Sequence, residues 1–297
     1  MDIVFCLDKN ILDSLKAIIS SINYHTKRTV NYYVICPKKE NRLFEDFINS
    51  NNLKNIKLGN FEPSDFILNL IKKCKYYFGS RISNYSRFFI KDTFPDLKKI
   101  IYLDTDMLIL DDIGKLWDSV NLDENNFFAS PKYILFHKLF YIKRLQYYYQ
   151  YFNQSNYFNG GVFVTDLTFW DDKLYQKLFE ITDNFLENDI CHTFTEAILN
   201  TLFPNFIQLD PSWNCSGYGN NKWYYILKLR DSNYKPKIIH WSGPTKPWHK
   251  KNIYQEKLWY NFFNNNLLDL SFDDDDIVFI LLSYIYQFIK FIFNLFK

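Results

Sequence analysis

Asp104 and Asp106 stand two residues apart at the end of an apolar run, Ile100-Ile101-Tyr102-Leu103. In extended geometry both carboxylates leave the same face and Thr105 points away. Two converging carboxylates make a hard-cation site. Oxygen ligands with open positions suit Mg²⁺ or Mn²⁺ bridging a diphosphate, which supplies the remaining oxygens. Asp pairs also end strands as turn formers, and Asp111-Asp112 read that way, as a turn or a helix start. A second constellation is His240-Trp241-Ser242-Gly243-Pro244-Thr245-Lys246-Pro247-Trp248, entered from Ile238-Ile239. Gly243 permits close backbone approach there, and Lys246 can place a cation on phosphate oxygens. A lone histidine is most often a hydrogen-bonded core residue. As a third ligand beside two carboxylates, however, His240 would tilt the choice of ion from Mg²⁺ toward Mn²⁺.

Such groups need strand ends to carry them. Residues 3–7 (IVFCL) form a short apolar run before Asp8-Lys9-Asn10, and Ile11, Leu12, Leu15, Ile18, Ile19 and Ile22 then recur at helical spacing. Residues 31–36 (NYYVIC) end at Pro37, 40–50 look helical, 55–58 (NIKL) form a further short strand, and 80–94 look helical again. Residues 127–130 and 162–165 are later strand candidates. This alternation predicts an α/β fold, a mostly parallel sheet flanked by helices on both faces. In open sheets of that kind the ligand crevice lies beyond the carboxyl ends of the strands, where Asp8 and Asp104 both fall.

Composition bounds the function. The 297 residues carry 35 Lys+Arg against 33 Asp+Glu, a net +2, so the chain lacks the polyelectrolyte character of a nucleic-acid binder. With 47% apolar residues, including 30 Phe, 23 Tyr and 7 Trp, disorder is excluded and a large core is expected. Cys6, Cys36, Cys74, Cys191 and Cys215 contain no CxxC pair, so reduced, mostly buried thiols are expected rather than disulfides or a zinc site. The N-terminus lacks the basic flank and long apolar run of a signal peptide, and cytosolic residence is expected.

Three stretches stand apart. Residues 133–152 are aromatic and basic, either packed helices or an acceptor-binding flap. Residues 222–257 carry nine Lys/Arg against Asp231 and Glu256, a local +7 around the His240 block. After Asp273-Asp274-Asp275-Asp276, the polar positions of 277–297 are Ser283, Gln287, Lys290, Asn294 and Lys297, a single stripe on a helix. That pattern suits an amphipathic helix lying in the headgroup plane better than a span or a packed helix, so the expected division is 1–272 catalytic and 273–297 membrane-associating.

IIYLDTDMLIL, YFNGGVFVTDLTFW and IIHWSGPTKPW, in this order, resemble the signature blocks of family-8 retaining glycosyltransferases. The resemblance covers roughly residues 1–250 and implies a GT-A fold, a nucleotide-sugar donor (UDP-galactose or UDP-glucose), a glycan or glycolipid acceptor, and transfer with retention. It implies Mn²⁺, with Mg²⁺ as the alternative, held by Asp104, Asp106 and His240. It places the Cys6 backbone, Asp8 and Asn10 near uracil and ribose, and Arg87 across donor sugar and phosphate. Asp104, Thr105 and Asp106 form the nucleotide-contacting segment, Asn159 lies near the donor sugar, and Gly243 and Lys246 lie on the diphosphate. One block departs: where the family commonly reads Asp-Gln, this chain has Thr195-Glu196. The resemblance therefore puts Glu196, Asn159 and Lys246 closest to the chemistry, with Glu196 an unusual carboxylate near the anomeric carbon. LDTDMLIL also resembles the aspartate pair of haloacid-dehalogenase-type phosphatases, but that motif is expected on the first strand. A non-catalytic membrane-associated sugar-binding protein is the other alternative, resting on the altered Thr195-Glu196 block.

Overall fold

The computed structural model of the chain describes residues 1–65, 68, 82–132, 157–187, 194–219, 235–249, 253, 255–267 and 270. Its strands are β1 (Asp2–Cys6), β2 (Asn31–Pro37), β3 (Ile56–Phe61), β4 (Lys99–Leu103), β5 (Met107–Ile109), β6 (Phe128–Pro131), β7 (Val162–Asp166), β8 (Ile207–Leu209), β9 (Cys215–Ser216) and β10 (Ile238–His240). The α-helices are α1 (Leu12–His25), α2 (Asn41–Ser50), α3 (Ile82–Ser86), α4 (Ile90–Thr93), α5 (Ile113–Asp118), α6 (Asp172–Glu187), α7 (Phe194–Leu202) and α8 (Glu256–Phe263). The 133–152 segment, the 273–297 tail, Cys74, Cys191 and much of the 222–257 basic stretch lie outside the described residues. Among the described residues, no helix is long and apolar enough to cross a membrane.

The central sheet has the order β3-β2-β1-β4-β7-β6-β8. Its inner strands β1 and β4 carry unbroken buried apolar runs, residues 3–6 and 100–103, because both faces are covered there, whereas the edge strands β3 and β8 are part-exposed. Ile3, Phe5 and Leu7 enter one buried cluster with Leu15, Ile18 and Ile22 of α1, while Val4 and Cys6 enter a second with Phe88, Tyr102 and Phe163. Burial pushes the Cys6 and Cys36 thiols up to about 12, which keeps both protonated.

β3, β2, β1 and β4 run parallel, as the alternation predicts, but β7 is antiparallel to β4 and β6 is antiparallel to β7. Strand-helix alternation does not report this reversal, and it matters for the site. Pairing of Leu103 with Val162 brings the residues just ahead of β7 beside the end of β4, and the Asp104 N–H donates to Gly161 O at 2.8 Å.

A second sheet, β5-β10-β9, was not anticipated because β5 and β9 are too short to show a period. β10 pairs antiparallel with β5 (His240 opposite Met107) and parallel with β9 (His240 opposite Ser216). Helix α1 holds this sheet in place with polar groups inside its apolar stripe. Ser14 Oγ donates to Thr105 Oγ1 at 2.6 Å, and Ser21 Oγ accepts the Ile109 N–H at 3.0 Å. Asp112 caps α5 by accepting the Gly114 N–H, the helix-start role its sequence suggested. The 80–94 stretch is broken rather than one helix: the described part is α3, a 3₁₀ turn Arg87–Phe89, and α4.

Candidate metal and donor site

β4 ends at Leu103 and β5 begins at Met107, so Asp104 and Asp106 sit in a bend between strands, not in an extended run. The bend still brings them together. One ligand atom from each of Asp104, Asp106 and His240 lies within 4.8 Å of the others. The β5–β10 register supplies the histidine, and the Trp241 N–H donates to Asp106 O at 2.9 Å just past it. Thr105 turns inward to Ser14 and is buried, which leaves its backbone as the part available to a ligand.

Each ligand is oriented by a neighbour. Asp104 Oδ1 accepts from Arg87 Nη2 at 3.1 Å and from the Tyr102 hydroxyl at 2.7 Å. His240, 2% exposed, places Nδ1 3.0 Å from Asn214 Oδ1 and Nε2 3.2 Å from Asp106 Oδ1. Lys246 Nζ donates to Asp106 Oδ2 and, at 2.7 Å, to Trp241 O. Burial acts to raise the Asp106 pKa, but the Lys246 ammonium and His240 outweigh it and hold the carboxyl well below the usual carboxylate range. Two carboxylates and an imidazole whose ligand atoms converge fit a divalent cation.

The loop carrying Lys246 depends on glycine. Gly243 has φ 126°, a backbone conformation that L side chains rarely adopt. Ser242 Oγ accepts the Gly217 N–H at 2.7 Å, and the Thr245 N–H donates to Gly219 O at 3.1 Å, so the loop after β10 is tied to the loop after β9. A Cβ on Gly219 would lie 2.5 Å from Thr245 O and 2.6 Å from Trp241 O.

Arg87 is buried and each of its nitrogens donates: Nε to Asn84 O at 2.9 Å, Nη1 to Gly160 O at 2.8 Å and Nη2 to Asp104. Its guanidinium also stacks on Tyr102, 4.8 Å from the ring centroid. In this arrangement it braces Asp104 and the Gly160 backbone. At the end of β1, Asp8 is buried and bonded, accepting from Asn10 N and Nδ2 at 2.9 Å each and from Ser83 Oγ at 3.0 Å, while Asn10 is exposed. Cys6 contributes a buried side chain and a strand-end backbone.

On the other side of the bend, Asn159 lies just ahead of β7 and Glu196 in the first turn of α7. Asn159 Nδ2 donates to Glu196 Oε2 at 2.6 Å, and the Tyr157 hydroxyl donates to Glu196 Oε1. Burial pushes the Glu196 carboxyl up, and its hydrogen bonds with Tyr157, the Gly160 backbone and Asn159, together with nearby His240, pull it down without cancelling that rise. Asn200, one turn along α7, holds the same segment through Phe158: its Oδ1 accepts the Phe158 N–H at 2.9 Å and its Nδ2 donates to Phe158 O at 2.8 Å. Tyr157, Asn200 and Asn214 were not singled out in the sequence. Asn200 stands four residues after Glu196 and Asn214 follows a Trp in PSWN, but neither pattern names its partner.

The chain matches the profile of Glycosyl transferase family 8 over residues 2–252. It is 28% identical over 264 residues to probable galacturonosyltransferase-like 4 of Arabidopsis thaliana, covering 83% of this chain and 72% of that one. It is 26% identical over 288 residues to general stress protein A of Bacillus subtilis, covering 88% and 92%. Among solved structures, the galactosyltransferase LgtC in complex with donor and acceptor sugar analogues superposes with TM-score 0.69 at 20% identity, covering 89% of this chain and 96% of that one. That superposition gives the fold, and the profile gives the family in place of the phosphatase alternative. The chain belongs to glycosyltransferase family 8 and is a glycosyltransferase with a GT-A fold.

Proposed function

We propose that the chain is a retaining hexosyltransferase that moves a hexose from UDP-galactose or UDP-glucose to a hydroxyl of a glycan or glycolipid, with Mn²⁺ as its preferred ion. The observation that carries this reading is the meeting of Asp104, Asp106 and His240 from two sheets, with Lys246 beside them. A divalent ion bound there supplies Lewis-acid neutralisation of the charge that grows on the leaving diphosphate. Lys246 adds a second cation when its ammonium turns from Asp106 to a phosphate oxygen. The bond from the anomeric carbon to the diphosphate oxygen breaks and its electron pair leaves with UDP. The acceptor oxygen bonds to that carbon on the same face, and its proton passes to a diphosphate oxygen. Both Glu196 oxygens already accept hydrogen bonds, which favours contact with donor-sugar hydroxyls over attack on the anomeric carbon.

UDP release measured across a panel of UDP-sugars with Mn²⁺, Mg²⁺ or chelator, followed by the product's anomeric configuration, tests the reading. Release from UDP-galactose or UDP-glucose, lost in chelator and giving a retained product, is the expected result. No release from any donor would favour the non-catalytic sugar-binding alternative. We also propose that residues 277–297 form an amphipathic helix that holds the enzyme on the cytoplasmic face of a membrane, near a lipid-borne acceptor. Truncation before Asp273 should then abolish liposome co-flotation and leave transfer to a soluble acceptor intact; a full-length chain that never co-floats overturns it.

A further inference from the structure

We propose that Asn214 is a positioning residue that joins the two halves of the site, setting the His240 tautomer on one side and the Asn159–Glu196 pair on the other. The proposal rests on the reading of Asp104, Asp106 and His240 as metal ligands. A backbone N–H can only donate, and that of Gly161 points at Asn159 Oδ1, 3.1 Å away. Asn159 therefore presents its oxygen to Gly161 and its amide nitrogen to Glu196 Oε2. Asn214 lies 3.1 Å from that same Asn159 oxygen, so the atom it presents must be the donor Nδ2. Its remaining oxygen then faces His240 Nδ1 at 3.0 Å, and a carboxamide oxygen only accepts. The imidazole proton is thereby placed on Nδ1. With Nδ1 committed to Asn214, Nε2, 3.2 Å from Asp106 Oδ1, is the ring nitrogen directed at the candidate ion site.

The result is a run of hydrogen bonds with one sense: His240 donates to Asn214, Asn214 to Asn159, and Asn159 to the Glu196 carboxylate. Each bond polarises the next, and reversing one amide would set donor against donor. Asn214 is 7% exposed and fixed at the end of the 3₁₀ turn Pro211–Asn214. Asp210 caps that turn through the Ser212 N–H at 2.8 Å, and the Lys237 N–H donates to Ser212 O at 3.0 Å just before β10.

Two substitutions separate the two jobs. Asn214→Asp keeps an acceptor for the imidazole and loses the donor to Asn159; Asn214→Leu keeps similar bulk and loses both. The readouts are the ¹⁵N shifts of the His240 ring in metal-free protein, assigned by their loss in His240→Gln, Mn²⁺ affinity by paramagnetic resonance titration, and kcat. We expect an Nδ1-protonated ring in the unsubstituted protein and in Asn214→Asp, whose Mn²⁺ affinity stays within about 3-fold while kcat falls about 10-fold. Asn214→Leu should lose the Nδ1-protonated signature and weaken Mn²⁺ binding about 10- to 100-fold. A ring without a proton on Nδ1 in the unsubstituted protein, or Asp and Leu variants that agree in every readout, would overturn the proposal. If the unsubstituted protein binds no Mn²⁺, the metal-site reading falls, and its ring shifts still decide whether Asn214 sets the tautomer.

Discussion

At the end of the site proposed to take the diphosphate, the phosphate end, Asp104, Asp106, His240 and Lys246 hang on strand ends or on the loop just past one, and backbone ladders set their spacing through the β4–β7 and β5–β10 pairings. At the end proposed to take the donor sugar, the sugar end, Glu196 rides on the first turn of α7 and Asn159 on the approach to β7, and side-chain amides join them. A ladder is indifferent to side-chain identity, so a ligand there can be changed without moving its neighbours. Bonds between side chains have no such backing. A substitution at the sugar end redistributes hydrogen bonds among its neighbours, and this is where the chain departs from the common Asp-Gln pattern.

The largest effect should come from Asp106→Asn. The ladder on either side is untouched, so the circular dichroism spectrum should stay close to that of the parent. The melting temperature should fall with the loss of the carboxylate that pairs Lys246 and His240, and ion-dependent UDP-sugar turnover should be lost. Turnover that persists in this variant would remove the carboxylate pair from the mechanism; a variant that fails to fold would show that the bend needs its charges and break the contrast. Lys246→Ala comes next. It keeps the three ligands and removes a cation, so kcat/KM should fall on the order of 10²-fold, about 3 kcal/mol of transition-state stabilisation. A change confined to acceptor KM would take Lys246 off the diphosphate.

The phosphate end could be read in the sequence because its residues are local: two Asp at strand period, and His, Gly and Lys within seven positions. Helix α1 and strands β1, β2, β3, β4, β6 and β7 were readable for the same reason, whereas β10, as short as β5, showed only as the apolar pair before His240. The sugar end was readable only through resemblance at Asn159 and Glu196. Asn214 reaches His240 through the β9–β10 register, and a two-residue strand leaves no pattern to read. Ser14 and Ser21 were hidden in the same way, as polar residues inside an apolar helix stripe whose hydrogen-bond partners lie in the distant 105–109 segment.

Gly161 lies at the junction of the two ends. A Cβ there would come within 2.6 Å of His240 Cε1, 2.8 Å of Met107 Cε and 3.0 Å of Asn159 Oδ1. Gly161→Ala should therefore lower stability by about 1–3 kcal/mol as an overpacked site and reduce turnover about 10-fold through His240. Thermal unfolding together with Mn²⁺ affinity checks this. Unchanged values for both would mean that the imidazole has room to move and that the phosphate end is less rigid than its ladder implies.

The smallest effect should be that of Glu196→Gln, and its sign distinguishes the two ends most sharply. A Gln oxygen can keep the Asn159 bond, and the Tyr157 hydroxyl can turn from donor to acceptor for the new amide, so no buried group need be orphaned. Transfer activity should survive within about 10-fold, with a change in donor preference. Stability should move the other way. Because folding raises the Glu196 pKa, the folded state holds the proton more tightly than the unfolded chain does. Stability is then lost as pH rises from about 4, where the unfolded carboxyl titrates, through the higher folded value. Gln has no such proton to lose. The variant's melting temperature relative to the parent should therefore climb across that window and level off above it, so Gln gains most at neutral pH. A pH-independent difference, or a glycosyl ester on Glu196 caught by intact-mass spectrometry of the parent, would mean that this carboxylate is charged and reactive, and that the sugar end takes part in the bond-breaking assigned here to the phosphate end.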